Sequence, residues 1–338
     1  MSTRFLFRIL TAMLLALTVV LSATAQPGPQ LAPLRVGVLE FGTVNWELEV
    51  IQRLGLAKKR GIDLQIVPLA SSDASVVALQ GGAVDIIVSD WIWVTRQRAE
   101  SNLYSFAPYS NAVGSVMVKA DSGITKLADL KGKKLGIAGG PSDKTWLLLR
   151  AYAQRKLGID LTKFTEPTYA APPLLNALAE RGQVDAALNF WNYAARLEVE
   201  GMHPLIELPE ILRGLGIEKP IPLIGWVFRE DWAAANTATV KNFLAASYEA
   251  KAVLAKSDAQ WDLLRPKMRA ENDAVFNALR AKFRAGIPAC SDPDSMAAVA
   301  ATFKILAETG GEKLVGKSKS LSNGTFWPGF TLPPCKTY

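Results

Sequence analysis

Lys58-Lys59-Arg60-Gly61-Ile62-Asp63-Leu64 recurs further along the chain as Arg155-Lys156-Leu157-Gly158-Ile159-Asp160-Leu161. Each copy reads as a basic helix end, a glycine stop and the start of the next segment. A second pair follows in the same order. Ala78-Leu79 with Gly82-Ala83-Val84-Asp85 returns as Ala177-Leu178 with Gly182-Gln183-Val184-Asp185, after which Trp91 matches Trp191. Either motif alone is a common βα junction. Together, in one order, they predict two domains of one topology.

Around these repeats, short apolar runs alternate with amphipathic stretches, the pattern of βαβ units and largely parallel sheets. Strands are expected at Leu34 to Leu39, Asp63 to Leu69, Val84 to Ser89, Lys134 to Ala138 and Val184 to Asn189. Helices are expected at Asn45 to Lys59, Asp73 to Gln80, Asp143 to Leu157 and Pro173 to Arg181. After about Asp231 the pattern turns helical, most clearly at Thr237 to Lys256, Asn272 to Ala285 and Pro293 to Glu308.

The 338 residues suffice for two domains, and 49% hydrophobic residues with nine Trp exclude a disordered chain. The formal charge of +7 is spread along the chain, with Lys131 to Lys134 the densest cluster. That is not the concentrated basic stripe of a nucleic-acid binder. Arg4 and Arg8, the uncharged run Ile9 to Leu21 and the small residues Ala23-Thr24-Ala25 read as an export signal cleaved after Ala25. The run is shorter than the ~20 residues that span a bilayer. Cys290 and Cys335, an even count in an exported chain, are expected to form a disulfide that pins the Pro-rich tail to the helical end. Two buried thiols are the alternative.

Downstream of the first repeat, the run Gly123-Ile124-Thr125-Lys126-Leu127-Ala128-Asp129-Leu130-Lys131-Gly132-Lys133-Lys134-Leu135-Gly136-Ile137 leads into a Gly-rich turn, a helix and Gly182 to Ala186. This resembles the nitrate, sulfonate and taurine class of periplasmic solute-binding proteins of ABC transporters; thiamine-precursor binders of the same superfamily are similar. The likeness covers Leu34 to Phe228. It implies an α/β, two-lobed periplasmic binding protein fold of type II, whose parallel-sheet lobes are hinge-linked and whose C-terminal segment is helical. Lobe 1 is expected at 34–118 plus 225–338 and lobe 2 at 119–224, with crossings near Val116 to Ala120 and Leu223 to Phe228. The helix Thr237 to Lys256 should then pack on lobe 1. The implied role is capture of a small organic solute in the periplasm by a monomer. Delivery is to a membrane permease and its ATPase, with no cofactor, no metal and no nucleic acid. A periplasmic enzyme or accessory protein binding a cofactor or precursor is the alternative.

In an open parallel sheet, ligands lie beyond the carboxyl ends of the strands. Candidate ligand contacts are therefore Trp46, Ser71, Ser72, Asp90 and Trp91 in the first lobe. In the second they are Gly140, Ser142, Asp143, Trp191 and Asn192, with Trp226 at the return crossing. Gly139 to Thr145 runs into a helix start and offers free N–H groups to an anion. It reads equally as an ordinary cap satisfied by its own Ser142 or Asp143 side chain. In the resembled class this segment lines the pocket and binds an oxyanion. Trp91 and Trp191, at equivalent strand ends, are expected to face one another as flat walls for an aromatic, heterocyclic or quaternary cationic solute, while the resemblance implies a sulfonate- or pyrimidine-like one; packing under loops is the other reading of these tryptophans. Trp146, inside a helical pattern, belongs to the core, and Trp93 is hard to place. Carboxylates at Glu40, Asp90 and Asp143 would favour an amine or hydroxyl, so the ligand's charge stays open.

Enzymatic motifs fail on context. Gly311-Glu312-Lys313-Leu314-Val315-Gly316-Lys317-Ser318 matches the P-loop pattern, but no strand precedes it and no nucleotide domain fits after it. His203 is the only histidine, which leaves no His-rich zinc site and no visible catalytic set. The superfamily's thiamine-pyrimidine synthases use a cysteine-rich segment and a histidine that have no counterpart in this chain.

Overall fold

The computed structural model describes residues 30–333 apart from positions 220, 289, 291 and 292. The expected export signal and Cys335 lie outside the described residues, within which no cysteine is free.

The chain begins with β1 (Ala32–Leu39), α1 (Val44–Arg53), β2 (Ile62–Leu69), α2 (Ser72–Gln80), β3 (Ile86–Asp90), α3 (Trp91–Ala99) and β4 (Tyr104–Ser110). It continues through β5 (Ser115–Lys119), β6 (Lys134–Ala138), α4 (Lys144–Leu157), α5 (Leu161–Phe164), β7 (Glu166–Ala170) and α6 (Pro172–Glu180). Next come β8 (Ala186–Asn189), α7 (Trp191–Val199), β9 (Met202–Glu207), α8 (Leu208–Gly214) and β10 (Ile224–Arg229). The remainder is helical: α9 (Glu230–Ala235), α10 (Thr237–Lys256), α11 (Asp258–Met268), α12 (Asp273–Ala285), α13 (Pro293–Gly310) and α14 (Glu312–Val315).

The strands form two five-stranded sheets, in the orders β2-β1-β3-β10-β4 and β7-β6-β8-β5-β9. These orders are the same once β6, β7 and β8 are matched to β1, β2 and β3. The repeated motifs have one physical role in both copies. Asp85 accepts the backbone N–H of Arg35 at 2.8 Å, and Asp185 accepts that of Lys134 at 2.7 Å. Each aspartate thereby ties the loop before its strand to the start of the neighbouring parallel strand. The two basic helix ends stop at Gly61 and Gly158, at φ 75° and 68°, a backbone region costly for residues with a Cβ.

Both sheets are largely parallel, as the pattern predicts, with one reversed strand in each. β10 runs antiparallel to β3 and β4, and β5 antiparallel to β8 and β9. β5 follows β4 directly across 111–114 and β10 follows α8 of the second lobe, so neither strand is preceded by a crossover helix from its own sheet, the connection a parallel neighbour needs. The first crossing comes earlier than Val116 to Ala120. Ser115–Lys119 is already paired in the second sheet, so the chain changes sheets at 111–114. Allocating 225–338 wholly to lobe 1 is likewise too simple. α10 packs on α1, but α12 packs on α7 and α13 on α4, so the last helices clasp both lobes. The largest core cluster accordingly joins Trp91 and Phe106 of the first sheet's lobe with Leu135 and Trp146 of the second through Phe303 and Leu306 of α13.

Candidate functional site

The carboxyl ends of both sheets open on one cleft of about 290 Å³. Its first-lobe wall includes Ser72 and Asp73 from α2, Asp90 at the end of β3, and Trp93, Arg96 and Gln97 from α3; Tyr109 and Ser110 come from β4. Its second-lobe wall includes Gly139, Ser142, Asp143, Lys144 and Thr145 after β6, and Phe190, Trp191 and Asn192 after β8.

Of the candidates read from the sequence, the structure brings together Ser72, Asp90, Ser142, Asp143, Trp191 and Asn192. Trp46, Ser71, Trp91, Gly140 and Trp226 are not among the lining residues. Ser71 is the N-cap of α2, its hydroxyl accepting the Ala74 N–H at 3.0 Å, and Gly140 lies one residue past the lining Gly139. Trp46 stands one layer behind the wall, edge-on to Trp191 with ring centroids 6.0 Å apart. Trp226 is likewise buried behind Tyr109, at 5.0 Å, and donates its Nε1–H to the Ser247 hydroxyl.

Trp91 does not face Trp191. Asp90 caps α3 by accepting the Trp93 N–H at 2.8 Å, so the helix starts at Trp91 itself. From there helical phase decides direction: Trp91, Ile92, Val94 and Thr95 are buried, while Trp93, Arg96 and Gln97, spaced i, i+3 and i+4, line the cleft. The ring of Trp91 packs against Phe303, 6.4 Å away.

The glycine-rich turn behaves as both of its readings allowed. Asp143 caps α4, accepting the N–H groups of Thr145 and Trp146 at 2.9 and 3.1 Å, and it also lines the cleft. The helix's most available donors are therefore already used. Lys144, part of the Gly139 to Thr145 turn but not singled out there as a ligand contact, ion-pairs with Asp143 at 3.3 Å and lies over the Phe190 ring. Burial opposes its charge, but the carboxylates of Asp143 and Asp90 outweigh burial and hold Lys144 above the usual lysine range. Asp90 is raised chiefly by burial, with Lys144 working against that shift. The chemistry on offer is recognition: flat aromatic edges, hydroxyls, three carboxylates and two cations. No cluster of metal-ligating side chains occurs among the described residues. His203 sits exposed on β9, outside the cleft.

Comparison with known proteins places this architecture. The sequence profile described as NMT1/THI5 like matches residues 50–259, well over half of the chain. The chain belongs to the NMT1/THI5-like family. Among curated relatives it is similar to a probable ABC transporter extracellular-binding protein, YckB of Bacillus subtilis, at 32% identity over 118 residues, 34% of this chain and 39% of that protein. Matches to the curated relatives span less than half of their length. Two solved structures share the fold. The periplasmic aliphatic sulphonate binding protein SsuA of Escherichia coli aligns at TM-score 0.66 and 21% identity over 90% of this chain and 95% of its own. The alkanesulfonate-binding protein SsuA of Xanthomonas axonopodis pv. citri, bound to MOPS, aligns at TM-score 0.66 and 19% identity over 88% and 98%.

Proposed function

We propose that this chain is the solute-binding component of an ABC importer. It is exported on a signal peptide cleaved after Ala25, works as a monomer in the periplasm and hands its solute to a membrane permease and its ATPase. The observation that carries this reading is the cleft at the carboxyl ends of two like-ordered sheets, joined by chain crossings at 111–114 and before β10. Such a site captures a ligand between lobes that close by hinge motion. The solute is a small organic molecule, anionic, flat or both. The cations Arg96 and Lys144 and the rings of Trp93, Tyr109, Phe190 and Trp191 in the wall support that range. So do the sulfonate-binding names of the fold neighbours. No reaction is assigned to the site.

Native mass spectrometry of freshly purified protein, followed by a thermal-shift panel of sulfonates, carboxylates, pyrimidines and amines, tests the proposal. A receptor is stabilised by about 2.7 kcal/mol at a hundredfold excess of solute over Kd and returns the solute unaltered. Turnover of the bound compound, or an unchanged radius of gyration by small-angle scattering despite binding in the cleft, would overturn it.

A further inference from the structure

Residues 91–97, Trp-Ile-Trp-Val-Thr-Arg-Gln, open α3 just as residues 191–197, Trp-Asn-Tyr-Ala-Ala-Arg-Leu, open α7. Within the internal repeat this pairs Trp93 with Tyr193 and Arg96 with Arg196. The two arginines hold equivalent places in the two lobes, but their surroundings differ. Both terminal nitrogens of Arg196 are engaged, while its buried Nε has no partner among the described residues. The guanidinium ion-pairs with Glu271, donates to the carbonyls of Met268 and Arg269 at 2.9 and 3.2 Å, and lies over the Tyr193 ring.

Arg96 is half-buried in the cleft wall, and among the described residues it makes no ion pair and no hydrogen bond. Asp90 feels its charge without pairing with it. The other cation of the cleft is already neutralised, since Lys144 sits on Asp143 within the field of Asp90. Among the lining residues Arg96 is thus the cation without an ion pair, and its planar, five-donor fork matches a carboxylate or sulfonate.

The P-loop-like segment has a place in this arrangement. Its second glycine, Gly316, adopts φ 62°, and a Cβ there would lie 3.4 Å from Arg96 Nε. α14 and its flanking glycines therefore pack on α3 beside the guanidinium.

We infer that Arg96 is the specificity-determining anchor of the cleft and selects small organic monoanions, gripping their carboxylate or sulfonate end. A dianion would bring a second negative charge toward the three carboxylates Asp73, Asp90 and Asp143 with no second unpaired cation to meet it among the lining residues. This inference rests on the receptor reading, and the following experiment separates the two.

Calorimetric titration of wild type, Arg96→Gln, Arg96→Lys and Arg196→Gln uses butanesulfonate, butanoate, succinate, butane-1,4-disulfonate, butyramide and butylamine as probes. The expected result is that wild type prefers a monoanion over its dianionic and uncharged counterparts. Arg96→Gln should weaken that monoanion about tenfold or more, as loss of a charged hydrogen-bond partner does. Arg96→Lys should recover part of the loss, and Arg196→Gln should keep the affinity. Circular dichroism melting of each variant establishes that it folds. Equal monoanion affinity in wild type and Arg96→Gln overturns the inference, as does tighter binding of butylamine, butyramide or the dianions; all of these leave the receptor reading standing. Absence of any binding, together with no copurified solute by native mass spectrometry, counts against the receptor reading and takes the inference with it.

Discussion

Behind the cleft wall lies an ion pair that makes a quantitative test of the fold. Glu47 of α1 is fully buried and Lys251 of α10 is 2% exposed, and the two are in direct contact. Glu47 also accepts the Ser247 hydroxyl at 2.5 Å, while Ser247 accepts the indole N–H of Trp226 at 3.1 Å. The ammonium of Lys251 lies 3.8 Å from the ring centroid of Tyr109, a cleft residue. Lys251→Met removes one charge and strands the other, with no cation among the described residues left beside it and only hydroxyl donors such as that of Ser247. Breaking a buried pair in this way costs about 3–5 kcal/mol. Replacing both members with apolar residues of similar volume, Glu47→Met with Lys251→Met, leaves no stranded charge and is expected to return most of that loss. Urea unfolding of wild type, both single variants and the double variant gives the coupling energy from one cycle. The pH dependence supplies a second reading. Burial pushes Glu47 up, against the attraction of Lys251. Without Lys251 that attraction is gone, so the folded protein holds its proton to a higher pH than the unfolded chain does. The stability of Lys251→Met should therefore be best below the ordinary glutamate value of about 4.3 and decline as pH rises through the elevated one. A double variant no more stable than the sum of the two singles would refute the reasoning, as would single variants within about 1 kcal/mol of wild type.

Two further outcomes follow from the same structure. Trp91→Ala, in the core against Phe303, should lower stability by about 3–5 kcal/mol, whereas Trp191→Ala should weaken solute binding by about 2 kcal/mol; melting and calorimetry on the same pair check both, and a reversal of the two effects would contradict the assignment. Asp160 caps α5 through the N–H and hydroxyl of Thr162, which holds its carboxyl below the usual range. Its contribution is present above the unfolded value of about 3.9 and lost as pH falls through the lower folded one. Asp160→Asn keeps an acceptor at the cap but removes that titration, so the acid end of its melting-temperature profile should be flatter than that of wild type.

The architecture was legible because its signals are local and duplicated. The glycines that end the two basic helices and the aspartates that tie one strand to the next stand at the same points of both copies, and each can be read without knowing what lies opposite. Lys134–Ala138 and Thr237–Lys256 have the bounds their patterns predict. The crossing strands were harder. β5 and β10 are apolar runs like any other strand, and nothing in their composition records the direction in which they enter a sheet. The inward side chains were hardest of all. The strand-end rule locates a residue along the chain but does not give the phase of a helix that starts there. Asp90 is a carboxylate in the cleft and also the cap that starts α3 at Trp91, a role the strand-end rule does not supply. Counting 3.6 residues per turn from that cap turns Trp93, Arg96 and Gln97 toward the cleft and Trp91 away.

The same count leaves one question, because Trp191 occupies the first position of its helix as Trp91 does and yet reaches the cleft. Neighbours decide the difference. Trp91 is covered by Phe303 of α13, a helix that also packs on α4 of the other lobe. Trp191 instead meets Trp46 at 6.0 Å and Phe283 at 6.3 Å, which support it on one side and leave an edge toward the cavity. The helices after Asp231 have no counterpart in the repeat, so they fall on the two lobes unequally. They bury one tryptophan, prop the other, engage Arg196 through Met268, Arg269 and Glu271, and leave Arg96 unpaired beside Gly316. The duplicated part of the chain builds a cleft with two equivalent walls. The unduplicated part makes those walls chemically different, and a site that must hold one end of a solute in one orientation requires that difference.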